Sequence, residues 1–341
     1  MFCAKNFLVV ICCLVCLQTA RGGDWTAQKS GTLAWLHDVY FVNENKGFVA
    51  GSGGAFLSTS DGGKTWTAAR EKFTDDTIER IRFTDENNGW LLCQRDAYNR
   101  GAKSPSYLLR TRDGGEHWER EEFNFSGGRR ERIAGIFFAK NGLAMANGES
   151  GALLVYDDEA KTWKRVASST RYLLRDGVFT DDFHAIIVGA GGSVLFSDDA
   201  GASWNKAAIY GEQKPKLAKV FFVNPKLGWT VGGAGKIYQT INGGKSWREQ
   251  TSTVARDLTD VFFSNTAEGW AVGDGGAILH STTSGNIWTP VASNTTHKLE
   301  RVFFNGKKGF AVGFGGTILS FDNAPTSKNA QSKPQLQKRS N

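Results

Sequence analysis

Hydrophobic residues recur along this chain in short alternating runs separated by glycine-rich turns. One copy reads "LTDVFF" at 258–263, then "GWAVG" at 269–273, then "AILHS" at 277–281. Runs of four to seven residues rich in β-branched and aromatic side chains are typical of β-strands. A fourth strand follows a turn and begins with Trp288. The pattern therefore predicts a repeating unit of four strands.

The tryptophan that opens the fourth strand sets the period of the repeat. The separations between successive copies are 41, 52, 45, 41, 43 and 41 residues. Four strands in roughly 40–50 residues indicate a β-propeller blade. We therefore predict an all-β, seven-bladed β-propeller of four-stranded blades. The tryptophans are Trp25, Trp66, Trp118, Trp163, Trp204, Trp247 and Trp288.

The two ends of the repeat array complement each other. The chain has seven opening strands, but the seventh unit stops at "GTILSFDN" (316–323) without a tryptophan strand. The missing strand occurs instead near the N-terminus, as "DWTAQKSG" at 24–31. We predict that this N-terminal strand completes blade seven and closes the ring, which leaves no exposed sheet edge there.

A patterned turn precedes most of the tryptophans, as in "TSDGGKTW" at 59–66. It resembles the Asp-box, or bacterial neuraminidase repeat, S/T-x-D-x-G-x-T/S-W. The acid or amide can accept backbone N–H bonds, the glycine supplies a positive φ, and the tryptophan wedges between blades. We interpret these residues as structural turn locks and not as catalytic acids; blades three and six carry degraded copies. The locks are Asp61, Gly63, Trp66, Asp113, Gly115, Trp118, Asp199, Gly201, Trp204, Asn242, Gly244 and Trp247.

The chain ends differ in composition from the repeats. Residues 1–22 have an apolar run too short to span a membrane, followed by small residues, and predict an export signal cleaved after Gly22. We assign 23–323 to the propeller and 324–341 to a disordered basic tail. Removing the basic residues of both ends from the formal charge of +7 leaves +1, so global charge does not favour nucleic acid. The mature chain keeps only Cys93, which excludes an internal disulfide.

The full repeated phrase, running from "LTDVFF" through "GWAVGDGGAIL" to an Asp-box tryptophan, resembles the photosystem II assembly and stability factors of cyanobacteria and plastids, and their relatives in non-photosynthetic bacteria. The resemblance covers residues 24–323. It implies a non-catalytic, exported scaffold that binds a membrane protein or membrane-complex assembly intermediate through an arginine-rich face. The compartment would be periplasmic or extracellular, or the thylakoid lumen in a phototrophic host. We expect a monomer without a cofactor; the sequence carries no photosynthetic signature, so the partner stays open.

Strand alternation sorts the loops onto two faces. The starts of the opening strands, the turns between strands two and three, and the connections between blades share one face, here called the upper face. Basic residues cluster there in a ten-residue insertion of blade two and in the next two connections, and guanidinium groups suit acidic partners. The alternative is that some only pair with Asp75, Asp76, Glu79 or Glu131. The predicted partner-binding residues are Arg80, Arg95, Arg100, Lys103, Arg129, Arg130, Arg132, Arg171 and Arg175.

The third position of the opening strands alternates in charge around the ring, apart from a gap at Gly135. We interpret its acids as ties between neighbouring blades, with Arg80 partly committed to Asp38. In blade order these residues are Asp38, Arg80, Gly135, Asp176, Lys219, Asp260 and Arg301.

Two other functional classes stay open on the sequence alone. A glycan-binding or sialidase-like glycoside hydrolase propeller requires paired carboxylates or a tyrosine nucleophile with an acidic helper. No such pair stands out at any repeat position, and we predict no catalytic residue. The histidines are spread over five blades, and the glycine-rich phrases lead into strands, so neither a metal nor a nucleotide site is predicted.

Overall fold

We describe a computed structural model of the protein, over residues 24–96, 104–123, 131–157, 159–211 and 216–322. The predicted signal (1–22), the predicted tail (324–341) and most of the blade-two insertion lie outside these residues. Seven antiparallel sheets follow one another along the chain and form a seven-bladed β-propeller, confirming the predicted fold. No helix in the described residues is long and apolar enough to cross a bilayer.

The first four blades each contain four strands. Blade one is β2 (Leu36–Phe41), β3 (Gly47–Gly51), β4 (Phe56–Thr59) and β5 (Thr67–Ala68). Blade two is β6 (Thr77–Phe83), β7 (Gly89–Gln94), β8 (Ser106–Thr111) and β9 (Glu119–Glu122). Blade three is β10 (Ile133–Phe138), β11 (Ala144–Gly148), β12 (Leu153–Asp157) and β13 (Thr162–Arg165). Blade four is β14 (Leu174–Phe179), β15 (Ala185–Gly189), β16 (Val194–Ser197) and β17 (Asn205–Lys206).

The last three blades follow the same plan. Blade five is β19 (Leu217–Phe222), β20 (Gly228–Gly232), β21 (Ile237–Thr240) and β22 (Ser246–Gln250), with β18 (Ala208–Tyr210) as an added strand. Blade six is β23 (Leu258–Phe263), β24 (Gly269–Gly273), β25 (Ile278–Ser281) and β26 (Thr289–Pro290). Blade seven is β27 (Leu299–Asn305), β28 (Lys308–Gly313), β29 (Ile318–Asp322) and β1 (Thr26–Gln28).

Strand β18 is a departure from the predicted four strands per blade. It runs parallel to β22, and Ile209 lies opposite Trp247. The connection from blade four to blade five is long enough to lay an extra strand along the outer edge of the next sheet. This pairing gives blade five a fifth strand, which the described residues of the other blades do not have.

The N-terminal strand closes the ring as predicted. β1 pairs antiparallel with β29, with Thr26 opposite Ser320. The side chain of Trp25 is 1% exposed. Its ring lies 5.7 Å from that of Trp270 and 5.3 Å from that of Phe321. Residues almost 300 positions apart in sequence therefore share one blade core.

The Asp-box turn forms a local hydrogen-bond network on the face opposite the upper face, here called the lower face. Asp61 Oδ1 accepts the backbone N–H groups of Lys64 and Thr65 at 2.9 and 3.0 Å, and the Thr59 hydroxyl donates to it at 2.8 Å. The Thr65 hydroxyl donates to Asp61 Oδ2 at 2.7 Å, and this bond together with the others holds the pKa of Asp61 well below its usual value. In blade six Thr283 replaces the acid, and its hydroxyl accepts the N–H of Ile287 at 2.9 Å. The degraded copy thus keeps the turn with a weaker acceptor.

A second glycine turn, a short 3₁₀ segment, joins strands two and three on the upper face. Its last residue is always glycine because the carbonyl of the following connection approaches closely. A Cβ on Gly54 would lie 1.8 Å from Thr74 O. Its middle residue has a positive φ, with open space beside Gly53 but a close approach of Arg256 to Gly275, and Ser150 and Ala234 occupy the position in two blades. The segments are Ser52–Gly54, Glu149–Gly151, Ala190–Gly192, Gly233–Gly235, Asp274–Gly276 and Phe314–Gly316.

The seven opening strands surround the central channel. Each has a register shift near its start, as between Leu36 and Asp38 in β2. Below the third-position charges the channel is lined largely by aromatic rings, and Phe262 contacts Phe221 at 4.9 Å and Phe303 at 5.6 Å between ring centroids. The cavity in this part of the channel is open to solvent and has a volume of about 300 Å³. The charged mouth of this channel forms the centre of the upper face.

Candidate functional site: the upper face

Backbone hydrogen bonds join the upper-face turns to the connections between blades. In blade three, Glu149 N–H donates to Arg132 O at 2.9 Å, and Gly151 N–H donates to Tyr172 O at 2.9 Å. The same pairing of a turn with a connection recurs in blade one, where Ser52 N–H donates to Trp35 O at 2.8 Å. Side chains on these connections therefore project from a rigid base.

Asp38 links three blades at the channel mouth. Its Oδ2 accepts the N–H of Ile81 in blade two at 2.8 Å and lies 3.0 Å from Arg82 Nη1. Its Oδ1 lies 3.1 Å from Arg301 Nε in blade seven. Burial would raise the pKa of Asp38, but Arg301 and Arg82 outweigh it and hold that pKa below its usual value. Asp38 is therefore an ionised inter-blade tie.

Two other third-position acids make equivalent bonds. Asp176 accepts the N–H of Val220 at 3.1 Å and pairs with Lys219 at 3.1 Å. Asp260 accepts the N–H of Val302 at 2.9 Å, while its other oxygen is 3.7 Å from Arg301. Burial dominates at Asp260 and raises its pKa, and burial likewise lowers the pKa of Lys219 to about 8. The interior of the mouth is thus occupied by structural pairs.

The expected pairing of Arg80 with Asp38 is wrong. Arg80 Nη1 donates to Glu79 O at 2.7 Å and lies 3.8 Å from the Glu79 carboxylate. Arg82, two residues later, lies beside Asp38 instead, with its Nη1 3.0 Å from Asp38 Oδ2. The Arg80 side chain is only 16% exposed, and burial and the nearby Arg301 lower its pKa to about 10. Arg80 lies at the mouth but presents little surface.

Glu79 gathers the charged groups at the edge of the mouth. Its carboxylate lies 2.5 Å from Arg132 Nη2, across the boundary between blades two and three. Burial would raise the pKa of Glu79, but Arg80, His37 and Arg132 together lower it. Burial also lowers the pKa of His37, so its ring is neutral near pH 7. Arg132 remains 48% exposed in spite of its pair.

Arg171 lies on the next connection and Arg175 near the start of β14, and both are exposed. Neither side chain forms an ion pair or a hydrogen bond with the described part of the chain. Tyr172, between them, is 60% exposed. We use the name basic arc for Arg80, Arg132, Arg171 and Arg175, which follow one another over blades two, three and four.

The other predicted contacts divide into two groups. Arg95 is only 5% exposed: its guanidinium pairs with Glu122, donates to Ser104 O at 2.7 Å and stacks 4.4 Å from the Tyr107 ring. Arg95 therefore anchors the base of the blade-two insertion. Arg100, Lys103, Arg129 and Arg130 lie outside the described residues. Glu131, offered above as a pairing acid, binds Arg165 within blade three.

Sequence reasoning missed an aromatic group beside the mouth. Trp35 stacks on His37 at 5.3 Å and meets the edge of Phe314 at 5.5 Å. Phe314 begins the blade-seven turn, where the other blades have Ser52, Glu149, Ala190, Gly233 and Asp274. This single large residue at a position of small or acidic ones was the available signal.

The site offers little to a hydrolase. Tyr40, a possible nucleophile by composition, donates its hydroxyl to Phe83 O at 3.0 Å inside the channel, and burial raises its pKa. No group of three His, Cys, Asp or Glu residues suited to a metal ion occurs within the described ranges. The groups that the upper face does present are guanidinium and aromatic side chains, which suit recognition.

Comparisons with known proteins agree with this architecture. A 42% identical segment of 55 residues in a Synechococcus photosystem II assembly lipoprotein Ycf48 covers 16% of this chain and 17% of that protein. The Prochlorococcus marinus protein of the same name is 24% identical over 250 residues, covering 62% of this chain and 73% of its own length. A second Synechococcus Ycf48 is 30% identical over 87 residues, so the alignments to the two Synechococcus relatives span 17% and 26% of those proteins.

Solved structures show the same fold. The structure titled "YCF48 bound to D1 peptide" superposes with a TM-score of 0.69 at 21% identity, covering 89% of this chain and 98% of that one. A virginiamycin B lyase from Staphylococcus aureus reaches 0.71 at 10% identity, so the fold alone does not separate binding proteins from enzymes.

The sequence profile of one family matches most of the chain. The profile described as "Photosynthesis system II assembly factor YCF48" matches residues 17–91, 69–173 and 212–296, well over half of the chain. This protein therefore belongs to the photosystem II assembly factor YCF48 family.

Proposed function

We propose that this protein is a non-catalytic, exported scaffold that holds a membrane protein, or an assembly intermediate of a membrane complex, against its upper face. The observation that carries the proposal is the position of Arg132, Arg171 and Arg175. These three side chains are exposed on one rigid face, and Arg171 and Arg175 have no acidic partner in the described residues. Exposed guanidinium groups on a preorganised base bind carboxylates at low entropic cost.

The family supports a peptide-like ligand. One relative with the same fold has been solved as "YCF48 bound to D1 peptide". For this chain we infer a segment of a membrane protein as the bound element, with Arg100, Lys103, Arg129 and Arg130 as further contacts. The periplasm, the extracellular space or, in a phototroph, the thylakoid lumen is the proposed compartment. The signal predicted from the sequence at 1–22 supports export.

The channel charges serve the scaffold and not the ligand. Asp38, Asp176 and Asp260 are buried and bonded between blades. A partner carboxylate would meet Arg82 or Arg301 only by displacing those acids. The three exposed arginines of the basic arc, Arg132, Arg171 and Arg175, can in contrast bind without breaking a buried pair, and only Arg132 has a contact to give up, with Glu79.

Capture from crosslinked membranes of the native host tests the proposal. Tagged mature protein is compared with a triple variant, Arg132→Glu, Arg171→Glu and Arg175→Glu. The matched control is Lys64→Glu, Lys140→Glu and Lys226→Glu, which makes the same change of charge at exposed lower-face turns. We expect a membrane protein recovered by the wild type and the control, and at least about tenfold less by the upper-face variant.

Two outcomes would contradict the proposal. Equal recovery by both variants would remove the upper face as the binding site. Recovery of glycans or glycolipids in place of proteins, unaffected by either variant, would favour the lectin alternative.

A further inference from the structure

The upper face presents exposed apolar side chains on the side of the mouth opposite blade four. Leu33 is 88% exposed and Phe314 is 50% exposed. Trp35 and the exposed ring of His297 complete the group, with His297 5.7 Å from Phe314. We call Leu33, Trp35, Phe314 and His297 the aromatic patch. Large apolar side chains gathered at one surface site mark interaction surfaces more often than isolated ones do.

The patch is held in place by its neighbours. The backbone N–H of Trp35 donates to the Ser52 hydroxyl at 2.9 Å. The N–H of Phe314 donates to Lys298 O at 2.9 Å, and the N–H of Gly316 donates to Ala34 O at 2.7 Å. Both halves of the patch, from blades one and seven, are therefore fixed to each other. A preorganised surface of this kind loses little conformational entropy on binding.

The patch is continuous with the basic arc. Trp35 stacks on His37, and His37 lies in the electrostatic field of Glu79. Glu79 in turn pairs with Arg132. From Phe314 to Arg132 the path therefore runs through two ring contacts, an electrostatic interaction between His37 and Glu79, and one ion pair, and Arg171 and Arg175 extend it. One extended ligand can touch both regions.

We propose that the aromatic patch is the second half of the partner site and takes a large apolar side chain of an extended acidic segment whose carboxylates bind the basic arc. This inference rests on the proposed function and names the chemistry of its ligand. The acidic residues of the ligand are inferred from charge complementarity, because the basic arc is positive. The apolar side chain of the ligand is inferred from the exposure of Leu33 and Phe314. When such a side chain packs against these two residues, its own apolar surface and theirs are removed from water.

The test is selection from a phage library of random 12-residue peptides, each able to span up to about 40 Å when extended. The baits are the full-length wild type, Leu33→Ser with Phe314→Ser, and the triple arginine-to-glutamate variant. A lower-face control, Ile241→Ser with Ile287→Ser, removes two side chains that are 74% and 61% exposed. All four substituted apolar side chains lie at the surface, so we expect each variant to fold. Thermal unfolding of each bait verifies this.

We expect wild-type binders rich in Asp and Glu with one large apolar residue. Their affinity should fall at least about tenfold on the Leu33/Phe314 variant and stay unchanged on the lower-face control. Acidic binders without an apolar preference, or with equal affinity for the Leu33/Phe314 variant, would overturn the aromatic patch and leave the basic arc intact. Apolar binders indifferent to the arginine variant would overturn the proposed function. A selection that enriches no peptide would overturn both.

Discussion

Neutralising Asp38 tests the claim that buried charges tie the blades together. The substitution Asp38→Asn keeps the shape of the side chain and removes its charge. The carboxylate is 2% exposed and bonds to Arg301, Arg82 and the N–H of Ile81. The amide oxygen of Asn can still accept the Ile81 N–H, so the loss falls on the two arginine contacts.

The size of the loss follows from the burial of those arginines. Removing one partner of a buried ion pair costs about 3–5 kcal/mol because it leaves an uncompensated charge. Arg301 is 6% exposed and keeps only Asp260, at 3.7 Å. Arg82 is 21% exposed and regains part of its hydration. We therefore expect a loss of about 3 kcal/mol in the free energy of unfolding.

Equilibrium urea unfolding followed by tryptophan fluorescence measures this loss. Asp75→Asn is the matched control, because Asp75 is 90% exposed and its pair with Lys72 should contribute less than about 1 kcal/mol. The folded-state pKa of Asp38 is depressed, so its contribution is complete above the ordinary value of 3.8 and is lost as the pH falls through the lower folded value. The difference between wild type and Asp38→Asn should shrink over that acid range. A loss at neutral pH no larger than that of Asp75→Asn would refute the reasoning.

Three further changes probe the ring and its turns. Trp25→Ala should cost about 4 kcal/mol in the same unfolding assay, because it empties the core joined by the two chain ends, and unchanged stability would contradict closure by β1. At Gly54 the φ is +70° and an added Cβ would lie 1.8 Å from Thr74 O, so Gly54→Ala should lower the free energy of unfolding by more than about 2 kcal/mol. Gly53 also has a positive φ but open space around it, so Gly53→Ala should cost about 1 kcal/mol. Equal effects of the two substitutions would argue against the close approach at Gly54. Burial raises the pKa of Cys93 to about 12, so the thiol of the native protein should resist iodoacetamide at pH 8 and should react in urea. Mass spectrometry measures the labelling, and equal labelling of the native and the unfolded protein would contradict this burial.

The sequence was sufficient for the ring because the signals for it are local and repeated. The tryptophan period, the alternating strands and the missing seventh tryptophan strand each follow from backbone geometry and core burial. Strand β18 could not be predicted in the same way. Its three residues match no part of the repeated sequence, and β18 pairs with β22 at the outer edge of blade five.

The face was predictable only in part, because a sequence does not reveal where a long side chain folds. Arg95 and Arg171 are equally basic in sequence, yet Arg95 folds back over Tyr107 while Arg171 stays exposed. Arg82 and not Arg80 pairs with Asp38, although Lys219 pairs with Asp176 from the same third position that Arg80 occupies. The aromatic patch combines Leu33 and Phe314, which only ring closure brings together.

Site-specific photocrosslinking tests the central claim, that the upper face holds the partner, most directly. A photoreactive phenylalanine analogue replaces Tyr172 on the upper face in one sample and Ile241 on the lower face in another, both side chains being more than half exposed. After illumination in the native host, adducts are identified by mass spectrometry. Our account predicts a membrane-protein adduct from position 172 and none from position 241. An adduct from position 241 alone would contradict it.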